Sequence, residues 1–296
     1  MGKIATTIDE QINCLESRGL IIENKEKAKE VLSDIGYFRL GFYLFPFEES
    51  YPQRRNRTHT YREGTKFKDV VDLYYFDYEL KNIFLKYLTR IEVNFRTKVT
   101  YEGSIRFKDS PIWFADPKFM VEDYVESFES EVYNVKFKKN KVIKLHHKSY
   151  PDQKYAPAWK TMEFMTLGAM IKLYQGIKND SLKTRIANAY KVAGATVLEN
   201  YMNALRDVRN TCAHGAALFD YKLSKGLKSC EAIDFESKEK SNLRGITRLI
   251  EFFLKSISEN RAIDFRKEIN GLIREYNENT TLKNVISDCA GYSFNT

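Results

Sequence analysis

Between Lys68 and about Tyr101, the apolar residues Leu73, Leu80, Phe84, Leu88, Ile91 and Phe95 recur at steps of seven, four and three. That spacing lines one face of a helix. A second stripe, Leu198, Tyr201, Leu205, Val208 and Cys212, runs at steps of three, four, three and four and predicts a helix over 196–213. Shorter patterns predict helices over 8–18 and 25–34, followed by Gly19 and Gly36 where C-caps would sit. Further helices are expected over about 121–133, 157–174, 242–255 and 264–276, the second of these opening on Pro157, which a first helical turn tolerates. The stretch 36–47, GYFRLGFYLFPF, reads as a hydrophobic plug around Arg39, whose charge would need a partner if buried. Residues 110–117 read as a turn with buried aromatics. Residues 51–64 are basic, lack an apolar period and read as a loop, and residues 136–150, the most basic run in the chain, read as a loop or ribbon. The last twenty residues are polar and read as frayed. The pattern as a whole predicts a mainly α protein. An N-terminal helical and aromatic segment, 1–66, would pack on a helical core, 67–278, that carries a basic insertion near 134–150, with a polar tail over 279–296.

Composition sharpens this in three ways. Only 14 glycines and 6 prolines over 296 residues favour long helices over many short strands. An apolar content of 43% supplies a sizeable core and excludes a disordered chain. The net charge of +8 points to a polyanionic partner, nucleic acid before a membrane surface. The four cysteines are widely spaced with no CxxC pair, which argues against a zinc site or a disulfide framework and fits a reducing cytoplasm. Gly2 and Thr6 fit a loose myristoylation pattern, but nothing else points to a membrane, and no apolar run has the length of a spanning helix.

Chemistry concentrates at residues 206–215, RDVRNTCAHG. At roughly 100° per residue, Arg209 lies about 60° off the apolar stripe, and Asn210 and His214 lie about 160° off it. A satisfied core histidine would sit on the stripe; His214 does not. Ala213 sits within this polar face and would let an RNA backbone or a second subunit approach closely. Arginine can hold a phosphate through its planar fork and histidine can move protons near neutral pH. Together they suit metal-independent cleavage of RNA, in which the 2′-oxygen attacks and the 5′-oxygen leaves. One such set is thin for both proton transfers, and a symmetric dimer would supply two. R-x4-H alone is weak, because it arises often by chance. Elsewhere, Glu92 and Arg96 form an (i, i+4) pair at the edge of the long helix, which pattern alone reads as a structural ion pair. Arg54, Arg55 and Arg57 of the first basic segment, with Lys136, Lys138, Lys139, Lys141, Lys144, His146, His147 and Lys148 of the second and Arg206 beside the motif, are candidate RNA contacts. Plain solvation is the alternative for both basic segments. His146 and His147 are adjacent and have no acidic or cysteine ligand at zinc spacing, so no metal site is expected.

The motif 209–214, RNTCAH, resembles the R-x4-6-H motif of the HEPN superfamily, including the asparagine after the arginine. The chain more widely resembles the Abi-like abortive-infection family of bacteria, of the AbiD/AbiF type. That resemblance rests on five stretches in order: QINCLESRGLII (11–22), IGYFRLGFYLFPF (35–47), RIEVNFRTKVTY (90–101), PAWKTMEFMTLGAM (157–170) and RNTCAHG (209–215). It implies a HEPN-type helical bundle, commonly dimeric, a role in phage defence, and RNA as partner, including a cognate noncoding RNA for AbiF-type members. It implies no cofactor. It implies Arg209 and His214 as the catalytic pair with Asn210 orienting them, and Glu92 and Arg96 bracing that pair from the neighbouring helix. Where the family tends to follow the histidine with H-x-R-x-W, this chain has GAALFDYKL, so contacts just past His214 differ, and a member that binds RNA without cutting it is the competing reading.

Overall fold

The computed structural model describes residues 4–292; Gly2 and the last four residues of the tail lie outside them. The described residues form fourteen α-helices and no strand beyond isolated bridges. The fold is built around α4, Phe67–Arg106, whose 40 residues span about 60 Å. The residues of its sequence stripe are all buried. Around it pack α3 (Tyr37–Leu44), α8 (Ala158–Thr161), α9 (Leu167–Gly176), α10 (Asp180–Asn188), α11 (Ala195–Ala213), α12 (Leu243–Ile257), α13 (Glu259–Glu275) and α14 (Thr280–Ala290). At the N-terminus, α1 (Ile8–Ser17) and α2 (Lys25–Ile35) pair with each other, and α2 leans on α3. Of the remaining helices, α5 (Glu122–Glu131) packs on α9, while α6 (Val135–Lys138) and α7 (Lys141–Ser149) pair with each other and α7 meets α8. All share one continuous apolar core.

Local sequence explains where the helices begin. Thr7 and Glu10 form a reciprocal capping box on α1, while Asn24, Asn134, Asn140, Thr166, Asn179, Asn242 and Asn279 each accept a backbone N–H of the helix that follows.

Four expectations change. Residues 136–150 are no loop or ribbon: the caps Asn134 and Asn140 start α6 and α7, which turn Ile143 and His146 inward. The expected helix over 157–174 breaks at Met165, whose backbone is extended; Thr166 caps a new start, so a short helix and a 3₁₀ turn (Met162–Phe164) precede α9. The polar tail is α14, where Leu282, Val285, Ile286 and Cys289 bury a stripe that surrounding polar residues disguised, and Asn279 donates to Asp69 of α4 at 2.8 Å. The 36–47 plug is only half buried. Leu40, Tyr43, Leu44 and Phe47 enter the core, whereas Phe38 and Phe42 face outward and meet edge to face.

One close approach is strict. The fully buried Trp113 ring packs directly against α4 at Gly103, where an added Cβ would overlap the indole. Gly103→Ala is expected to destabilise the protein by about 1–3 kcal/mol despite alanine's better helix propensity. Urea denaturation followed by circular dichroism measures this; an unchanged midpoint would show that the indole can move aside.

Candidate active site

The core-facing stripe of α11 is buried, and Asn210, Ala213 and His214 are exposed on its other side, as the helical spacing requires. The helix ends at Ala213, one residue earlier than a helix persisting to the histidine would. His214 is its C-cap, with φ −95° and ψ 8°, and its N–H donates to the Asn210 carbonyl at 3.0 Å. Arg209, Asn210, His214 and Arg206 face a cleft of about 500 Å³, closed on the other side by Glu92 and Arg96 of α4 and by residues 163–168. The break at Met165 shapes that wall. It turns the first residues of α9, Leu167 and Gly168, into the cleft, where the positive end of the helix dipole and N–H groups without an intrahelical partner favour an anion.

Glu92 organises the arginines. One carboxylate oxygen accepts from Arg96 Nη2 at 3.0 Å; the other lies 3.5 Å from Arg209 Nε, close enough to pair in charge but without an aligned hydrogen bond. Arg96 Nη2 also donates to the Met165 carbonyl at 3.1 Å, fastening α4 to the break that opens α9. The pair read as a structural ion pair is thus structural and part of the cleft wall at once. The Arg209 side chain is 37% exposed and donates no hydrogen bond among the described residues, which leaves its terminal amines for a ligand. The Arg206 stem lies over Gly168, and its Nε and Nη2 donate to Asp207 at 2.9 and 2.7 Å. Within the motif, burial pushes the Cys212 thiol up to about 12, so it stays protonated and is no nucleophile.

The turn that carries the chain away from His214 is gripped by side chains from α3 and α4. Gly215 has φ +69°, a conformation that suits glycine. Its carbonyl accepts from Arg39 at 2.7 Å, and the Ala216 carbonyl accepts from Lys81 at 3.4 Å. Asp77, fully buried, accepts the backbone N–H groups of Leu218 and Phe219 at 2.8 and 2.6 Å and the Tyr43 hydroxyl at 2.7 Å, and pairs with Lys81 at 2.9 Å. Burial and the adjacent carboxylate push the Tyr43 phenol well above its ordinary range. Arg39 does have a partner, although it is exposed at the surface and not buried in a plug. Asp77, Lys81 and Tyr43 were not singled out from sequence. Their signal was an acid and a base four apart on the same face as Leu73, Leu80 and Phe84.

The basic segments divide. Arg57 pairs with the buried Glu48 and lies over the Phe45 ring at 4.4 Å, so it holds the 51–64 loop in place. Arg54 is 3.7 Å from Asp220, and Arg55 is exposed. Lys138 pairs with Glu129 at 3.2 Å, whereas Lys136, Lys139, Lys141, Lys144 and Lys148 lie at the surface with no carboxylate partner among the described residues. His147 Nε2 meets the Tyr133 hydroxyl at 3.0 Å. That hydroxyl also accepts the Ala156 N–H at 2.8 Å. His146 is buried, with Gln153 and the Tyr155 backbone near its ring but no well-aligned hydrogen bond at either nitrogen among the described residues, and so it is not a surface contact. Among the described residues no group of three or more His, Cys, Asp or Glu is placed to hold a metal ion, and no helix is long and apolar enough to cross a membrane.

Residues 30–220 of the 296 match the model of a protein family described as Abi-like protein. No curated protein and no solved structure matches the chain.

The anchored turn makes a direct prediction. Asp77→Ala strands the Lys81 charge and two backbone N–H groups in the core and is expected to cost about 3–5 kcal/mol. Chemical denaturation reads the loss, and a cost below about 1 kcal/mol would mean that the turn does not lean on Asp77. His146 makes another. Burial first, and the Lys160 charge second, hold its imidazolium form below the ordinary value of 6.5, with Gln153 and the Tyr155 backbone offsetting only part of this. The unfolded chain therefore takes up this proton first as pH falls. The contribution is full above about 6.5 and is lost progressively below it. Thermal melts between pH 7.5 and 5 should show a shallower decline for His146→Leu than for wild type, and parallel declines would remove His146 as a source of acid sensitivity.

Proposed function

From the premise that the chain belongs to the Abi-like protein family, we propose that it acts in abortive-infection phage defence by binding RNA and cleaving it without a metal ion at the Arg209–His214 cleft. Family membership suggests the defence role. The cleavage reading is carried by one observation: Arg209, with unengaged terminal amines, and an exposed histidine at a fixed helix end face one open cleft that also receives Arg206 and the start of α9. Every one of these groups suits a phosphate.

In this reading a phosphodiester sits between Arg209 and the first turn of α9. His214 removes the proton of the 2′-hydroxyl and the 2′-oxygen attacks phosphorus. Arg209 offsets the charge that grows on the phosphorane oxygens, and Asn210, whose carbonyl accepts the His214 N–H, orients the pair. The 5′-oxygen leaves with a proton, giving a 2′,3′-cyclic phosphate and a 5′-hydroxyl. That second proton needs a second acid. His214 of the partner subunit supplies it in a symmetric dimer whose two clefts face each other. The protein would be a cytoplasmic homodimer acting on RNA.

The test incubates labelled RNA with wild type and His214→Ala, with EDTA present. Cleavage should persist in EDTA, end in cyclic phosphate and fall roughly 10²–10⁴-fold in the variant. Unchanged cleavage by His214→Ala would remove the histidine from the chemistry. Salt-sensitive RNA binding with no cleavage by wild type would favour a noncatalytic RNA-binding protein. Sedimentation in the same buffer reads the dimer, and a strict monomer with and without RNA would eliminate the composite site.

A further inference from the structure

We propose that Trp159 is a stacking platform for an unpaired base of single-stranded RNA whose phosphate chain enters the neighbouring Arg209–His214 cleft. This rests on the RNA-binding reading above and adds to it a contact surface and a strand state.

The chain has two tryptophans with opposite surroundings. Trp113 is fully buried on Gly103, whereas Trp159, on α8, is 56% exposed. Tryptophan carries the largest apolar face of any side chain, and folding alone leaves this one without a partner. Its neighbourhood is aromatic and cationic together. One turn further along the same segment, Glu163 and the partly exposed Phe164 form part of the cleft wall. On the other side α8 packs against α7, whose C-cap is the exposed Tyr150. Exposed Lys141, Lys144 and Lys148 lie along α7 and Lys160 follows Trp159; none pairs with a carboxylate among the described residues, whereas Lys138 and Lys154 nearby both pair with Glu129.

An apolar protein partner would bury the indole but would leave those lysines uncompensated. A duplex would satisfy the lysines but keep its base faces stacked inside. Single-stranded RNA offers both a phosphate chain and free base faces, the combination that stacking platforms with flanking cations recognise. Trp159 and Phe164 are five residues apart along a short α-helix and a 3₁₀ turn, about 9 Å of rise, so the indole lies on the segment that leads into the cleft wall.

Two tryptophans make the test direct. A fluorescein-labelled, 2′-O-methylated oligouridylate of about twelve nucleotides cannot be cut by its own 2′-oxygen and fits a short single-strand site. Anisotropy of the label reads binding, and tryptophan emission reads stacking. Binding should quench the exposed Trp159 and spare Trp113. Trp159→Ala should abolish the quench and weaken binding roughly tenfold, Trp159→Phe should restore most of the affinity, and all three proteins should melt at the same temperature. Salt-sensitive binding without a quench, and with equal affinity in Trp159→Ala, would overturn the stacking proposal and leave RNA binding intact. Absence of binding at low salt would overturn the RNA reading itself and this proposal with it. A change in Trp159 emission with protein concentration alone would mean that a second copy covers the indole, and would overturn the proposal as well.

Discussion

The buried Asp77 carboxylate is the constraint on which the candidate site depends. It sits in the middle of the apolar face of α4, where an uncompensated charge would be prohibitive. Its stability is secured by Lys81, by Tyr43 and by two consecutive backbone N–H groups from the segment after α11. The requirement is mutual. The chain from Gly215 to Phe219 cannot relax away from α4 without stranding Asp77, and Asp77 cannot be tolerated without that chain. His214, one residue before the gripped segment, inherits a fixed position from an interaction it does not touch.

The cleft follows from a second local conflict, between a helix that hydrophobic spacing would continue and a cap that interrupts it. Thr166 takes the backbone N–H of Ala169 and restarts the helix, while Arg96 holds the Met165 carbonyl at the break. The new helix start points at the same space that the polar face of α11 borders. Glu92 joins the two sides by giving one oxygen to Arg96 and facing Arg209 with the other.

Much of this was legible in the sequence, and the failures share a cause. The 3–4 periodicity of α4 and α11 fixed the two helices that matter most, and the helical wheel placed Asn210 and His214 outside the core, where they are. Helix ends were less legible, because a side-chain cap such as Thr166, Asn134 or Asn140 competes with the apolar pattern and wins by a single hydrogen bond. The stripe of α14 was diluted by polar neighbours. Arg57 and His146 read as surface cations because composition cannot say that Glu48 lies buried beneath the one or that a hydrophobic turn draws the other inside. Asp77 and Lys81 were hidden for the opposite reason: their long-range partners are backbone groups more than a hundred residues away, which no local pattern contains.

The two arginines on the α11 side of the cleft each come with a carboxylate already in place, Arg209 facing Glu92 and Arg206 bound to Asp207. Each therefore carries a counterion that is part of the protein and cannot diffuse away. On the RNA-binding proposal, a phosphate entering the cleft would meet arginines whose charge is already partly balanced from within the protein. The cleft would then contribute less to the salt dependence of association than its arginines suggest, and the unpaired surface lysines would contribute the larger share. Salt would tune such binding at the periphery of the molecule, while the cleft would select by fit.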